Sequence, residues 1–185
     1  MNLKKEADYL EEYDVSSNPK EKRLIYHGPV FLFRGSEKAF RRYRRNSFAV
    51  DLMHLLLLIL TSLLDPYALR GQGIPPFMWF YMFSVFSAAY VLYTSICFLF
   101  SPREMNRKTY DRCVVNRNLA GIVDFVCVAA STGIQAWCIV IHGWYLPNEL
   151  GVFMLLVLGL LLCGLNLYQQ KRHGFDRQGN TDIQE

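Results

Sequence analysis

Three ionisable residues lie inside long apolar stretches of the sequence, and they are its strongest candidates for chemistry. Asp51 and His54 fall in the stretch 47–64, and Asp124 falls in the stretch 119–142. Residues three apart share one face of a helix, so Asp51 and His54 are expected on the same face. Asp124 is expected at a depth similar to that of Asp51. If the two helices touch, the three side chains form the start of a proton or cation path.

Two other roles are open for these acids. Asp51 is within reach of Arg44 or Arg45. Asp124 is within reach of Arg117 or of a neighbouring helix end. Such pairs would lock the helices together at one rim of a bundle, and the sequence favours this structural role. Alternatively, the acids could pair with a partner subunit.

No other pattern in the sequence indicates catalysis or cofactor binding. P-loop, GxSxG, HExxH and Rossmann glycine motifs are absent, so the chain is predicted not to be an enzyme. The cysteines form no CxxC pair, which gives no sign of a zinc knuckle or a dithiol oxidoreductase. Buried cysteine is usually a small apolar filler, and neither a metal nor a cofactor is predicted. The five cysteines are Cys97, Cys113, Cys127, Cys138 and Cys163.

Four apolar stretches must position these residues, and the stretch 75–100 is the most informative. Its 26 residues include no Asp, Glu, Lys, Arg or His. A helix of that length extends about 39 Å, which exceeds the ~30 Å apolar core of a bilayer. The sequence therefore predicts an all-α membrane protein with four transmembrane helices arranged as two antiparallel hairpins. The predicted spans are 47–64, 75–100, 119–142 and 149–168.

Basic residues predict the orientation in the membrane. Of the 20 Lys and Arg residues, all except Arg70 lie in the N-terminal segment 1–46, the loop 101–118 or the C-terminal tail 169–185. By the positive-inside rule these three segments face the cytosol, or the matrix if the membrane is mitochondrial. The bundle itself occupies 47–168. The sequence leaves open whether the membrane is the mitochondrial inner membrane or an endomembrane.

A basic amphipathic helix is predicted immediately before the first span. Phe40 and Tyr43 lie on one side of it and are surrounded by arginines. Such a segment can act as a topology signal, and it can also bind anionic head groups at about 1 kcal/mol per basic residue. Anionic phospholipids are therefore predicted partners. The predicted contact residues are Arg41, Arg42, Arg44 and Arg45.

Small residues at helical spacing indicate close contacts between helices. They occur in the second, third and fourth predicted spans, which favours a compact bundle or a contact with another subunit. The residues concerned are Ser84 and Ala88, Ala129 and Gly133, and Gly159.

Two stretches resemble the MARVEL-type membrane proteins. They are 83–90 (FSVFSAAY) and 121–130 (GIVDFVCVAA), the second of which carries an acidic residue early in the third span. The likeness covers two helices and rests on residues common in membrane spans, so it does not assign the chain to that family. It implies a membrane-organising or trafficking protein.

The function that the sequence favours is a non-catalytic accessory subunit of a larger integral membrane complex, for example an energy-converting organelle complex. The apolar run 30–33 is isolated in a polar segment, as if it lay at the membrane interface or against a partner. Other integral membrane subunits are the predicted partners, and no nucleic acid is expected. The alternatives are a MARVEL-like organiser and a small proton or ion transporter that uses the intramembrane acids.

Overall fold

The computed structural model describes residues 13–15, 24–26, 28–64, 77–142 and 147–178. Within these ranges the chain is mostly helical, and by length and composition four helices could cross a membrane. The prediction of a mainly helical chain with four span-length helices is therefore confirmed. The helices are α1 (Glu37–Leu64), α2 (Phe77–Leu99), α3 (Asn116–His142) and α4 (Pro147–Arg172).

Helix α1 is longer than the sequence predicted. The basic amphipathic helix and the first predicted span are one continuous helix of 28 residues. Ser36 caps its start, because the backbone N–H of Ala39 donates to Ser36 Oγ at 3.2 Å. Gly35 precedes the cap with φ of +137°, a conformation that favours glycine and lets the chain turn sharply into the helix. The arginines of α1 are therefore held in fixed register with its apolar part.

Helices α1 and α2 run antiparallel, as two contacts between them show. Near the start of α1, Arg44 donates to the carbonyl of Ser101, just beyond the end of α2. Farther along α1, the Leu58 carbonyl accepts from the hydroxyl of Tyr81, near the start of α2. The four helices form a ring in chain order, and α4 closes the ring against α1.

Short strands from distant parts of the chain join at one end of the bundle. β3 lies between β4 and β5 and pairs antiparallel with both, so that Phe31 stands opposite Met105 and Arg177. β1 and β2 form a separate antiparallel pair. We call the end with the three-stranded sheet the sheet end. The strands are β1 (Tyr13–Val15), β2 (Leu24–Tyr26), β3 (Val30–Phe33), β4 (Glu104–Asn106) and β5 (Phe175–Gln178).

These strands correct the all-helical prediction. The residues from 169 onward were predicted to be a polar tail, but α4 continues to Arg172 and β5 follows it. The loop 101–118 is also structured. After β4 it forms a helical turn, Arg107–Tyr110, and a π-helical segment, Asp111–Val115, that leads directly into α3. Strands of three or four residues are too short to show the alternation by which strands are recognised in a sequence.

An aromatic cluster fills the space between the sheet and the helices. Phe33, Phe40 and Phe98 are each 1% exposed. The ring centroids of Phe33 and Phe40 are 5.0 Å apart, and Phe98 meets Phe40 edge to face at 5.7 Å. Tyr43 and Phe175 also belong to the cluster. The apolar run in β3, which was predicted to lie at an interface or on a partner, therefore buries Phe33 inside this chain.

The lateral surface of the bundle is apolar on all four helices. This exceeds the scattered exposure of apolar side chains that is normal for soluble monomers. The span-length helices and this surface are consistent with an integral membrane protein. Among the most exposed side chains are Leu63, Phe83, Phe86, Leu119, Trp137, Val140 and Leu161.

The interior of the bundle has two parts. We call the part beside the sheet the sheet half and the remainder the opposite half. The core of the opposite half combines apolar side chains, of which Leu58, Val128 and Leu156 are almost fully buried, with the buried polar side chains of Ser131 and Gln135. Tyr81 and Val152 extend this apolar core. The sheet half contains the polar residues that the sequence singled out.

Candidate functional site

The core of the sheet half contains two layers of buried polar side chains. The first, which we call the Asp51 layer, comprises Asp51, Ser95, Arg117 and Asn166. Arg117 Nη2 donates to Asp51 Oδ2 at 2.7 Å, and both side chains are 2% exposed. A buried ion pair of this kind needs further hydrogen bonds to offset the loss of hydration. Each of the four helices contributes one residue to the layer.

Asn166 and Ser95 supply those hydrogen bonds. Asn166 Nδ2 donates to Asp51 Oδ1, and Ser95 Oγ donates to Asp51 Oδ2. Arg117 Nη2 also donates to Asn166 Oδ1 at 3.0 Å. The Asp51 carboxylate is thereby held by three donors from three other helices, so the layer connects the whole ring.

The second layer, which we call the His54 layer, lies farther from the sheet end, by about one helical turn on α1 and α4 and by about two to three turns on α3 and α2. It comprises His54, Ser84, Asp124 and Cys163, again one residue from each helix. His54 Nε2 lies 3.0 Å from Asp124 Oδ2, and Ser84 Oγ donates to Asp124 Oδ1 at 2.6 Å. Cys163 Sγ donates to Asp124 Oδ2 at 3.3 Å and lies 3.2 Å from His54 Nε2.

The polar residues predicted from the sequence therefore meet, but their partners differ from those expected. Asp51 pairs with Arg117 of α3 and not with an arginine of its own helix. Asp124 pairs with His54 and not with Arg117 or a helix end. Both pairs join α1 to α3 across the centre of the ring. The two carboxylates thus have separate basic partners in adjacent layers.

A cavity of about 10 Å³ lies between the two layers. This volume suits one water molecule or one small ion. Gly159 borders the imidazole of His54, because a Cβ added there would stand 3.5 Å from His54 Cε1. The imidazole is therefore in contact with the backbone side of α4. The polar residues that line the cavity are Asp51, His54, Asp124, Cys163 and Asn166.

A second candidate site is a groove of about 560 Å³ between the start of α1 and the end of α4, which we call the basic groove. Four of its lining residues carry or can acquire a positive charge: Lys38, Arg42, Arg172 and His173. None of the described lining residues is acidic. Burial lowers the pKa of His173, and the neighbouring Arg172 lowers that pKa further. The groove is lined by Ser36, Lys38, Ala39, Arg42, Tyr43, Asn46, Leu165, Tyr168, Gln169, Arg172 and His173.

The arginines predicted to contact lipid have different surroundings. Arg42 lines the basic groove. Arg41 forms an exposed ion pair with Glu37 at 3.0 Å. Arg44 is turned toward the end of α2, where it donates to a backbone carbonyl. Arg45 is exposed. The groove thus distinguishes Arg42 from its neighbours in a way that the sequence did not.

The small residues predicted to pack between helices also differ in their surroundings. Ser84 and Ala88 are buried in the core. Gly159 is buried against His54. Ala129 is half-buried, and Gly133 is exposed on α3, where an added Cβ would meet no atom of the described residues within 4 Å. Gly133 therefore makes no close contact inside the described bundle.

Sequence reasoning missed the roles of Cys163, Asn166 and Ser95. Cys163 was interpreted as an apolar filler, and Arg117 was assigned to a loop. A signal was present on α4, where Cys163 and Asn166 have the same three-residue spacing as Asp51 and His54. Two polar residues at that spacing place a polar face on each of two antiparallel helices.

Comparison with protein-family models, with curated proteins and with solved structures finds no match for this chain. The resemblance to MARVEL-type proteins therefore gains no support from a family match. Function has to be inferred from the geometry of the described residues alone.

Proposed function

We propose that the protein spans a membrane four times as two hairpins, with its sheet end in the cytosol or the mitochondrial matrix. The support is the position of the basic segments. β3, β4 and β5 carry the N-terminal segment, the middle connection and the C-terminal segment to one end of the bundle. Those three segments contain all Lys and Arg residues except Arg70. The positive-inside rule then assigns that end to the inner side.

Within the membrane, we propose that the protein is a non-catalytic subunit of a larger integral assembly. The observation that supports this role is the hydroxyl of Tyr90. Tyr90 is 44% exposed on the outward face of α2, and its hydroxyl has no hydrogen-bond partner among the described residues. It precedes the end of α2 at Leu99 by about 13 Å, which places it well inside the apolar layer.

A hydroxyl without a hydrogen-bond partner in an apolar environment costs roughly 2–7 kcal/mol. A neighbouring subunit that offers a polar group to Tyr90 would remove this cost. The surrounding face of α2 is aromatic, with Phe83 63% and Phe86 68% exposed and Tyr93 6.2 Å from Tyr90 between ring centroids. Aromatic side chains are characteristic of the centre of protein interfaces. The proposed partner is therefore a transmembrane helix that packs on this aromatic face of α2.

Site-specific photocrosslinking tests this role. A photoreactive phenylalanine analogue would replace Phe86 on the aromatic face, and the matched control would place it at Leu161 of α4, which is 64% exposed. We expect a protein adduct from position 86 and mainly lipid adducts from position 161. Equal protein labelling from both positions would contradict the proposal.

A hydroxyl deletion gives the second measurement. Tyr90→Phe keeps the ring and removes only the proposed hydrogen bond, which in a membrane contributes about 0.6–2 kcal/mol. The native complex should therefore dissociate at a lower detergent concentration than the wild type on native gels. Migration of the wild-type protein as a free chain of 21.5 kDa under gentle extraction would argue against any assembly.

We also propose that the basic groove holds the head group of an anionic phospholipid. Lys38, Arg42 and Arg172 supply positive charge at the rim of the bundle, next to the apolar surface of Leu165 and Tyr168. Each basic residue near an acidic leaflet contributes about 1 kcal/mol. Arg42→Gln with Arg172→Gln should weaken binding to acidic liposomes more than Arg41→Gln with Arg45→Gln, which removes the same charge outside the groove. An equal loss of liposome binding in both double variants would show that binding depends on net charge and not on the groove.

A proton or ion transporter is the second candidate, and the His54 layer is the observation that favours it. Buried His and Asp side chains in a span are typical of proton relays. Against it, Leu58, Val128 and Leu156 fill the core directly beyond this layer. Asp124→Asn in reconstituted vesicles distinguishes the two functions. A proton flux in the wild type that the substitution abolishes would favour transport over a purely structural role.

A further inference from the structure

We propose that His54, Asp124 and Cys163 bind one divalent transition-metal ion of the Zn²⁺ type. All three side chains are buried, and each offers a different ligand atom to the same point in the bundle core. His54 Nε2, Asp124 Oδ2 and Cys163 Sγ form a triangle with sides of 3.0, 3.2 and 3.3 Å. This site is independent of the partner helix and of the lipid groove proposed above.

The size of the triangle matches a tetrahedral metal centre closely. Zinc bonds of about 2.0–2.1 Å to N and O and about 2.3 Å to S place neighbouring ligand atoms roughly 3.3–3.6 Å apart. The triangle therefore has to widen by only about 0.3 Å on each side to hold the ion at this geometry. Nitrogen, oxygen and sulfur together suit Zn²⁺ better than Mg²⁺ or Ca²⁺, which prefer oxygen ligands alone.

One side chain has to turn when the ion binds. Cys163 Sγ lies 3.2 Å from Nε2 and 3.8 Å from Nδ1 of His54, so the sulfur faces the side of the imidazole ring. A rotation of the ring directs the Nε2 lone pair toward the centre of the triangle. The adjoining cavity of about 10 Å³ has room for one water molecule as a fourth ligand.

Charge balance also favours a divalent ion in this apolar setting. Asp51 and Arg117 already neutralise each other in the neighbouring layer. In the His54 layer, the Asp124 carboxylate and a Cys163 thiolate carry two negative charges, which a divalent cation cancels. From the thiol, binding proceeds as Cys163-SH + M²⁺ → M(Cys163-S⁻) + H⁺, so the thiol proton is released when the ion binds. Affinity should therefore rise with pH.

A second hydrogen bond orients the carboxylate. Ser84 Oγ donates to Asp124 Oδ1 at 2.6 Å, which leaves Oδ2 free to face the ion. Outer hydrogen bonds of this kind typically change metal affinity by about 10–100-fold. Ser84 is on α2, so the ion and its support would connect all four helices.

The test uses the full chain purified in detergent, stripped of metal and titrated with Co²⁺ as a spectroscopic probe for Zn²⁺. We expect one Co²⁺ per chain, thiolate-to-cobalt charge-transfer absorption, and displacement by Zn²⁺. Cys163→Ser should abolish that absorption. Cys127→Ser is the matched control, because Cys127 is on α3 near Asp124 but outside the triangle, and it should keep the absorption.

Ser84→Ala provides a variant that leaves all three ligands in place, in case Cys163→Ser does not fold. It should bind Co²⁺ with the same absorption but about 10–100-fold more weakly. Helical content by circular dichroism confirms folding of each variant. In weakly buffered solution, the wild type should release the Cys163 thiol proton, one per Zn²⁺ bound. Stoichiometric Co²⁺ binding without thiolate absorption, or no binding above that of Cys163→Ser, would overturn the proposal.

Discussion

The two halves of the bundle core are held together by different interactions. In the sheet half, the Asp51 and His54 layers connect side chains from all four helices through ion pairs and hydrogen bonds. In the opposite half, apolar side chains such as Leu58 and Leu156 fill the core. Hydrogen bonds are directional, whereas apolar contacts tolerate repacking. The comparison indicates that the sheet half sets the rotation of each helix and the opposite half mainly fills volume.

The position of the polar layers within the bundle has a physical reason. Ionised side chains cost more the farther they lie from water in a membrane. Asp51 and Arg117 are near the sheet end, where the aromatic cluster covers them and Arg117 lies 5.9 Å from the ring centroid of Phe98. Placing the strongest charges there limits the cost of burying them.

The largest loss of stability is expected from breaking the ion pair between Asp51 and Arg117 in the sheet half. Arg117→Met leaves the Asp51 carboxylate buried without a cationic partner, so the free energy of unfolding should fall by about 3–5 kcal/mol. The measurement is reversible unfolding in mixed detergent micelles. Asp51→Asn combined with Arg117→Met removes both charges and should recover a large part of the loss. A loss under about 1 kcal/mol for the single substitution would contradict the role given to the sheet half.

A smaller effect is expected from the opposite half. Leu156→Ala opens a cavity in the apolar core, and the free energy of unfolding should fall by about 2–3 kcal/mol in the same assay. Leu158→Ala is the control, because Leu158 is exposed on the same helix and its truncation should change stability by less than about 0.5 kcal/mol. A larger loss of unfolding free energy for Leu156→Ala than for Arg117→Met would contradict the different roles given to the two halves.

The smallest change in stability is expected from His173 at the rim of the sheet end. The pKa of His173 is lowered below 6.5 in the folded protein by burial and by Arg172. As pH falls below about 6.5, the unfolded chain binds this proton first, so stability decreases until the pH passes the folded pKa. His173→Gln should remove this part of the pH dependence between pH 7 and 5. A stability profile that is identical in both proteins would exclude His173 as its cause.

The sequence was sufficient to predict the four long helices and to single out Asp51, His54 and Asp124 within them. Uncharged runs of span length and isolated charges inside them are strong signals. The partners of these charges were not predictable. They depend on which faces of α1 and α3 meet across the ring, and that rotation is fixed only when all four helices pack. Arg117 was assigned to a loop because helix boundaries are uncertain by a few residues.

Cys163 and β3 show two further limits of the sequence. A cysteine in an apolar run has the same appearance whether it fills space or meets an imidazole, because only the neighbouring helices distinguish the two. β3 has four residues, and its pairing partners lie far away in the chain. Pairing at such separation leaves no local pattern. The apolar run was therefore correctly noticed, but its contacts within the same chain were not foreseen.

The central place of β3 in the sheet has a consequence for biosynthesis. Both edges of this strand are occupied by segments that the ribosome makes later, and β5 follows the last helix. The sheet therefore cannot close until every helix has been synthesised, because the edge of β3 that β5 occupies stays unpaired until then. A polypeptide that stalls before residue 175 would lack the ring of Phe175, which packs edge to face against Phe33 with ring centroids 5.5 Å apart. A closed sheet therefore requires that all four helices have been made.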